Sequence, residues 1–281
     1  MNIQWYPGHM KKTMDMLKKN IKLVNVVIEI LDARIPMSSQ NPELQGLIRD
    51  KKRIIILNKE DLAEESSTIR WVHYFKEQGV NAVPVNSVKG HGIKGLKTIM
   101  QSFKPSSLRG KRPVRALVVG IPNVGKSSLI NTLAGRSAAR TGGIPGITRG
   151  KQWIKIPPNI ELLDTPGILW PKISSAQMGF HLAVTGAIKF ELLNNQEMSL
   201  QLLEFLSKNY PERLKSRYKL SDIPSNMPEL LEAIGRRRGF LLSGGDIDFS
   251  RTSEVLLKEF REGPLGRFTL DVVPSTKSDI D

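Results

Sequence analysis

Leu117-Val118-Val119-Gly120-Ile121-Pro122-Asn123-Val124-Gly125-Lys126-Ser127-Ser128-Leu129-Ile130-Asn131-Thr132-Leu133 holds a short apolar run, the pattern G-x-x-x-x-G-K-S and an apolar helical pattern, in that order. The run reads as a strand and the tail as a helix, so the glycine-bearing stretch joins the two. Glycines let the backbone wrap closely around phosphate groups with several N–H groups pointing inward, and the N-terminus of the helix adds partial positive charge. Asn123, Val124, Gly125, Lys126, Ser127 and Ser128 are the candidate phosphate-binding residues; Lys126 reaches the β- and γ-phosphates, and the Ser127 hydroxyl is offered to magnesium. A glycine-rich turn with no ligand is the plainer reading, but a strand before and a helix after are the context the phosphate motif requires.

Upstream, the apolar runs Val26–Leu31, Ile54–Leu57 and Ala82–Val85 alternate with helical patterns, which predicts parallel strands with crossover helices. Asn58-Lys59-Glu60-Asp61 closes the second run. A carboxylate at Asp61 can accept from both N1–H and the 2-amino group of guanine, whereas adenine offers neither donor there, and an unpaired buried group is what rejects an analogue. Asn58 would meet the other edge of the base and Lys59 lie along its ring. Asn86-Ser87-Val88-Lys89 ends the third run and can supply the backbone N–H for the guanine oxygen. Alone, either tetrapeptide is more often a surface turn; after buried strands and alongside a phosphate loop they read together.

Downstream, Gln152–Ile156 and Ile160–Leu163 are two further candidate strands joined by a turn at Pro157, Pro158 and Asn159. Asp164-Thr165-Pro166-Gly167 follows the last. Asp164 would hold magnesium through water, and the Gly167 N–H would meet the γ-phosphate. Thr148, in Gly142-Gly143-Ile144-Pro145-Gly146-Ile147-Thr148, is the candidate threonine that ligates magnesium when the γ-phosphate is present. Six strands with crossover helices make a doubly wound α/β domain. The base motifs precede the phosphate loop, the reverse of the usual order, so the domain is read as a circularly permuted P-loop GTPase domain, with Lys104–Pro113 as the basic join. Where many GTPases carry a water-orienting glutamine after Asp-x-x-Gly, this chain has Ile168. His9 is the polar candidate for that work, set against a purely structural role at the N-terminal turn. Asn123 is placed to coordinate a monovalent cation beside the phosphates.

After about Pro171 the strand signals stop, and Glu197–Tyr210, Pro228–Arg238 and Ser250–Arg261 show helical spacing. The expected division is a GTPase domain at 1–175 and an all-helical C-terminal domain at 176–281. Of the 281 residues none is cysteine, which excludes disulfides, thiolate metal sites and a cysteine-dependent tRNA-modifying GTPase. No apolar run approaches the length of a membrane span. Met10, Met14, Leu17, Ile21 and Val24 form one helical stripe flanked by Lys11, Lys12, Lys18 and Lys19; this reads as a helix packed on the sheet with its lysines solvated, and without a lipidation motif it does not make a membrane anchor. Residues 1–176 hold 28 Lys+Arg against 12 Asp+Glu and the remainder 14 against 15, so the whole net charge of +15 lies in the first part. A surface that basic suits a polyanion, most commonly nucleic acid.

Trp5-Tyr6-Pro7-Gly8-His9-Met10, Asp32-Ala33-Arg34-Ile35-Pro36, Asn58-Lys59-Glu60-Asp61, the phosphate loop, Asp164-Thr165-Pro166-Gly167-Ile168-Leu169-Trp170-Pro171 and Tyr210-Pro211-Glu212-Arg213-Leu214 together resemble the circularly permuted ribosome-assembly GTPases, most closely the ribosome biogenesis GTPase A (YlqF-related) family. The resemblance implies a cytoplasmic factor that binds the immature large ribosomal subunit and its rRNA in the GTP state, hydrolyses GTP late in maturation under stimulation by the subunit, and leaves. It implies Mg2+, potassium stimulation through Asn123, a helical domain that contacts rRNA, no membrane or DNA partner, and a monomer off the ribosome. Asn86-Ser87-Val88-Lys89 departs from the family's usual Ser-Ala-Lys, and Arg149-Gly150 follow the switch threonine. The charge of the C-terminal part is nearly neutral, with basic character only at Arg213–Lys219 and Arg236–Arg238, so the N-terminal basic surface is expected to share the rRNA contact. An RNA-binding scaffold that keeps guanine nucleotide as a structural ligand, with Ile168 marking lost turnover, is the alternative; turnover stimulated by ribosomal particles separates the two.

Overall fold

Val26–Asp32 forms β1, and all seven of its residues are buried. That follows from its central place: β1 pairs in parallel with β2 (Lys52–Asn58) on one side and with β4 (Val114–Val119) on the other. The computed structural model describes residues 7–48, 51–103, 113–135, 153–167, 169, 173–188 and 194–274, with side chains from residue 12 onward. β2 pairs in parallel with β3 (Asn81–Val85), and β4 with β6 (Ile160–Leu163). β5 (Trp153–Ile156) joins the edge antiparallel to β6, which gives the order β3-β2-β1-β4-β6-β5.

Helices α1 (Pro7–Asn20), α2 (Pro42–Ile48), α3 (Glu65–Glu77), α4 (Ile93–Ser102) and α5 (Lys126–Ala134) supply the layers. Side chains alternate along a strand, so Val27, Glu29 and Leu31 share a face. Leu17 and Val24, with Met14 and Ile21 beside them, pack there against Val27, Leu117, Val119 and Leu163. The apolar stripe read from the sequence is thus a helix laid on the sheet, and Lys12, Lys18, Lys19 and Lys22 are exposed. Farther along that face Trp71 and Phe75 of α3 pack on Leu31, Ile55 and Leu57. The opposite face, with Ile28, Ile30, Ile54 and Ile56, is equally buried, which is why β1 and β2 read as nearly unbroken apolar runs. Glu29 is the one charge within β1's run; Arg53 pairs with it and Gln45 donates to it at 3.3 Å. Burial nonetheless pushes its carboxyl above the usual range, against the pull of Arg53.

The chain divides into two units, Met1–Met178 together with Phe268–Asp281, and Gly179–Arg267. α6 (Ala176–Val184) crosses the boundary, and α7 (Asn195–Asn209), α8 (Pro211–Tyr218), α9 (Met227–Arg238) and α10 (Phe249–Glu262) build the second unit. α7, α9 and α10 begin and end within a residue or two of the stretches read from the sequence. α7 is capped by Asn194, whose side chain accepts from the Gln196 and Glu197 N–H groups, and α10 by Asp248 in the same way through Arg251. Leu202, Leu203, Leu206, Leu231, Ile234, Leu257 and Phe260 lie buried among the helices. Glu259 accepts from Arg217 at 2.6 and 2.9 Å and from Tyr218 at 3.0 Å, and Arg238 pairs with it as well. Burial works against its ionisation, but those donors outweigh it and hold the carboxyl below the usual range.

The expected boundary of 176–281 differs from this division at its far end. Phe268 N–H donates to the Leu62 carbonyl (2.9 Å) and Leu270 N–H to that of Arg34 (2.8 Å). Thr269 Oγ1 accepts from Glu64 N–H (3.1 Å), and the Asp271 carboxylate accepts from Ser38 N–H and Oγ–H at 2.7 and 2.6 Å. Phe268, Thr269 and Leu270 are buried. These bonds draw the segment back onto the sheet domain, where Val273 packs against the Trp71 cluster.

Candidate nucleotide site

Asp32, Asn58, Asn86, Gly120 and Asp164 each stand at or just beyond the carboxyl end of a parallel strand, so their loops share one edge of the sheet. From β1 the chain winds outward through β2 and β3, then crosses to β4 on the other side of β1. The switch in direction therefore lies between β1 and β4, and the crevice outside such a switch is where open α/β sheets bind ligands.

The phosphate loop leaves β4 at Gly120 and enters α5 at Lys126. Asn123 (φ 60°) and Gly125 (φ 95°) both take the left-handed conformation, which turns successive N–H groups toward the concave side. Lys126 is buried and donates to the Gly120 and Ile121 carbonyls at 3.0 and 2.6 Å. Burial pulls its ammonium down to about 8, with Asp164 pulling the other way. Thr165 ties the strand end beside it in place by donating to the Val118 carbonyl at 2.6 Å. A side chain at Gly167 would put Cβ 2.9 Å from the Pro122 backbone and 3.0 Å from Lys126 Nζ, so only glycine lets this segment lie against the loop. Burial raises the Asp164 carboxyl, opposed by Lys126 and by the Thr165 N–H. Its Oδ1 is buried and has no hydrogen-bond partner among the described residues.

Asn58 binds the base loops to the phosphate loop. Its Nδ2 donates to the Val124 carbonyl at 2.6 Å and its Oδ1 accepts from Ser87 N–H at 3.1 Å. An amide has two N–H hydrogens, so the bond to Val124 leaves one for a further acceptor. Thr132 of α5 donates to the Ser87 carbonyl at 2.6 Å, closing the connection from the other side. Lys59 is left-handed (φ 59°, ψ 38°), and its Nζ lies 2.9 Å from Asp32 Oδ2. Glu60 Oε1 lies 2.6 Å from His91 Nδ1. Asp61 sits in the 3-10 turn Glu60–Leu62, half-buried. Asn86 Oδ1 accepts from Val88 N–H (3.0 Å) and Lys89 N–H (2.8 Å), so two of the amides in the loop expected to supply a backbone N–H to the guanine oxygen already have an acceptor within it. Asn86 shapes this turn through its side chain.

Of the residues expected from sequence, Asn58, Lys59, Glu60, Asp61, Asn86, Ser87, Val88, Asn123, Val124, Gly125, Asp164 and Gly167 lie in these loops or at the strand end that opens them, and Lys126, Ser127 and Ser128 form the first turn of α5. Thr148 and Ile168 lie outside the described residues, and His9 is described only as backbone within α1. Sequence reasoning missed three groups: Thr132, the brace on Ser87; Thr165; and Asp32 with Arg34. The last pair had a signal, since a charged residue ending a buried central strand that is apolar but for Glu29 needs a partner.

A family model described as 50S ribosome-binding GTPase matches residues 115–229. The match opens inside β4, with Asn58–Asp61 ahead of it, as the permuted order requires. A ribosome biogenesis GTPase A from Bacillus cereus is 48% identical over 96% of this chain and 94% of its own. That of Thermotoga maritima is 34% identical over 96% and 94%. Among solved structures, a GNP-bound YlqF from T. maritima is similar with a TM-score of 0.68 and 29% identity, over 94% of this chain and 100% of that one.

Proposed function

The chain belongs to the ribosome biogenesis GTPase A family of circularly permuted GTPases, and from that premise we propose that it binds the immature large ribosomal subunit and hydrolyses GTP late in its maturation, under stimulation by the subunit, in the cytoplasm. The observation that carries the nucleotide half of this reading is Asn58, whose one side chain joins the Asn58–Asp61 loop, Ser87 and the phosphate loop into a single frame. Asp61 accepts from the guanine N1–H and 2-amino groups, the Asn58 amide faces the other edge, and Lys59 lies along the ring. The N–H groups from Asn123 to Ser128 and the Lys126 ammonium meet the phosphates, and the Gly167 N–H meets the γ-phosphate.

The site suits Mg2+: Ser127 and Thr148 would ligate it directly and Asp164 through water. The buried Oδ1 of Asp164, without a hydrogen-bond partner among the described residues, is the group that fits such a role. Mg2+ in this position supplies charge neutralisation at the phosphate oxygens. Asn123 is the proposed potassium ligand, adding positive charge beside the phosphates. With Ile168 in the glutamine's place, His9 is the proposed residue that positions the attacking water when the ribosomal particle is bound. The exposed lysines of α1 support a shared rRNA contact between the basic first unit and the helices of the second, the protein being monomeric off the ribosome. Among the described residues no helix is long and apolar enough to cross a membrane.

The test is GTP hydrolysis in potassium and in sodium buffer, alone and with purified large subunits, for the parent and for His9→Ala that still binds nucleotide and subunit. Strong stimulation by the subunit, lost in His9→Ala and reduced in sodium, is the expected result. Absence of turnover in every condition would leave the scaffold reading instead.

A further inference from the structure

Asp32 lies at the carboxyl end of β1, between the base loop that follows β2 and the phosphate loop that follows β4. Its carboxylate is filled on every side. Oδ1 accepts from Arg34 N–H at 3.1 Å and Arg34 Nε at 2.9 Å; Oδ2 accepts from a terminal Arg34 nitrogen at 2.7 Å and from Lys59 Nζ at 2.9 Å. Both Asp32 and Arg34 are buried, and Lys59 is 25% exposed. The guanidinium grips the carboxylate in the paired geometry that fixes orientation as well as charge.

The backbone around the acid is held with equal care. Asp32 N–H donates to Ser39 Oγ at 3.2 Å, Ala33 N–H to the Asn58 carbonyl at 2.8 Å, and the Arg34 carbonyl receives Leu270 N–H. Asp32 also stands opposite Asn58 in the β1–β2 register. Lys59, the next residue, is thus anchored at both ends: at its backbone by the left-handed turn after β2, and at its ammonium by an acid fixed on the neighbouring strand.

A lysine stem has rotamer entropy to lose when it is ordered. A stem already held across the end of β1 loses that freedom on folding, before nucleotide arrives, which is how preorganisation raises affinity. We propose that Asp32, held by Arg34, is the positioning residue that lays the Lys59 stem across the base site, and that it thereby sets guanine-nucleotide affinity without touching the nucleotide. This rests on the assignment of Lys59 to the base given above. Lys59 supplies the contact; Asp32 supplies its geometry.

The test is a double-mutant cycle in the full-length protein with Asp32→Asn and Lys59→Met, read as the Kd of a fluorescent GDP, together with Asp61→Ala. Each single variant of the cycle is expected to weaken GDP about tenfold, and the double variant by no more than the weaker single. Effects that multiply in the double variant would overturn the proposal, since Asp32 would then act through the fold and not through Lys59; parent-like affinity of Asp32→Asn would overturn it too. If neither Lys59→Met nor Asp61→Ala weakens GDP, the base-site assignment itself has failed, a distinguishable result. Should Asp32→Asn not fold, competitive acylation of the nucleotide-free parent decides: Lys59 is expected to react at least about tenfold more slowly than Lys18, and equal rates would overturn the anchor.

Discussion

Replacing Gly125 by alanine tests the frame on which the nucleotide reading depends. The residue has φ +95°, where an L side chain costs about 1–2 kcal/mol. The added Cβ would lie 2.3 Å from Asn58 Nδ2, so the amide must retreat by more than an ångström or the loop must open. Retreat breaks the 2.6 Å bond to the Val124 carbonyl and strains the 3.1 Å bond from Ser87. Leaving one such buried group unpaired costs about 1–3 kcal/mol. The two effects sum to about 2–5 kcal/mol, divided between stability and binding according to which partner moves. As affinity alone this would be from about 30-fold to a few thousand-fold. Urea melts without nucleotide and GDP titrations on the same preparation measure both shares. The reasoning is refuted if Gly125→Ala melts within about 1 kcal/mol of the parent and also binds GDP within about threefold.

Gly95→Ala in α4 is the matched control: nothing lies within 4 Å of its added Cβ, so helix propensity alone should raise stability by about 0.5–1 kcal/mol in a urea melt, and any loss would contradict the packing. Asp271→Ala strips both bonds from Ser38 and should destabilise the first unit by about 2–3 kcal/mol, seen as a lower urea midpoint; an unchanged midpoint would mean the returning segment adds nothing. For pH, burial disfavours the Asp32 carboxylate, but Arg34 and Lys59 outweigh it and hold the group below its ordinary 3.8. Its stabilising contribution is therefore complete above that value and is lost as pH falls through the folded-state value. The stability deficit of Asp32→Asn should stay level from neutral pH down to about 5 and narrow only below about 4; a deficit that closes near neutrality would contradict the sign.

The central strands and the phosphate loop were legible because each is specified locally. Val26–Leu31 and Ile54–Leu57 are buried on both faces, so their apolar runs carry the signal without any knowledge of neighbours. α8 escaped notice because it is short and buries only Leu214 and Tyr218, although Pro211 in its first turn is an ordinary helix start. The site was legible as a set of motifs but not as a frame. That Asn58 spends its side chain on Val124 and Ser87, or that Thr132 braces Ser87, depends on residues that meet only after β1, β2 and β4 align. Asn86 shows the same limit on a smaller scale: the sequence offers the backbone N–H groups of Asn86–Lys89 as donors, and only the turn's geometry shows the Asn86 side chain accepting those of Val88 and Lys89.

The return of Phe268–Asp271 to the loops at residues 34–38 and 62–64 bears on the order in which the protein is completed during synthesis. The segment at residues 58–64 leaves the ribosome early, yet its last partners follow it by about 200 residues, an interval of about 10–40 s at usual elongation rates. Until then that edge of the domain stands open. A chain that stops short of this segment contains every motif read from the sequence and still lacks the closure between residues 34–38 and 62–64, so the finish of this edge of the domain records that translation has passed through the entire helical unit.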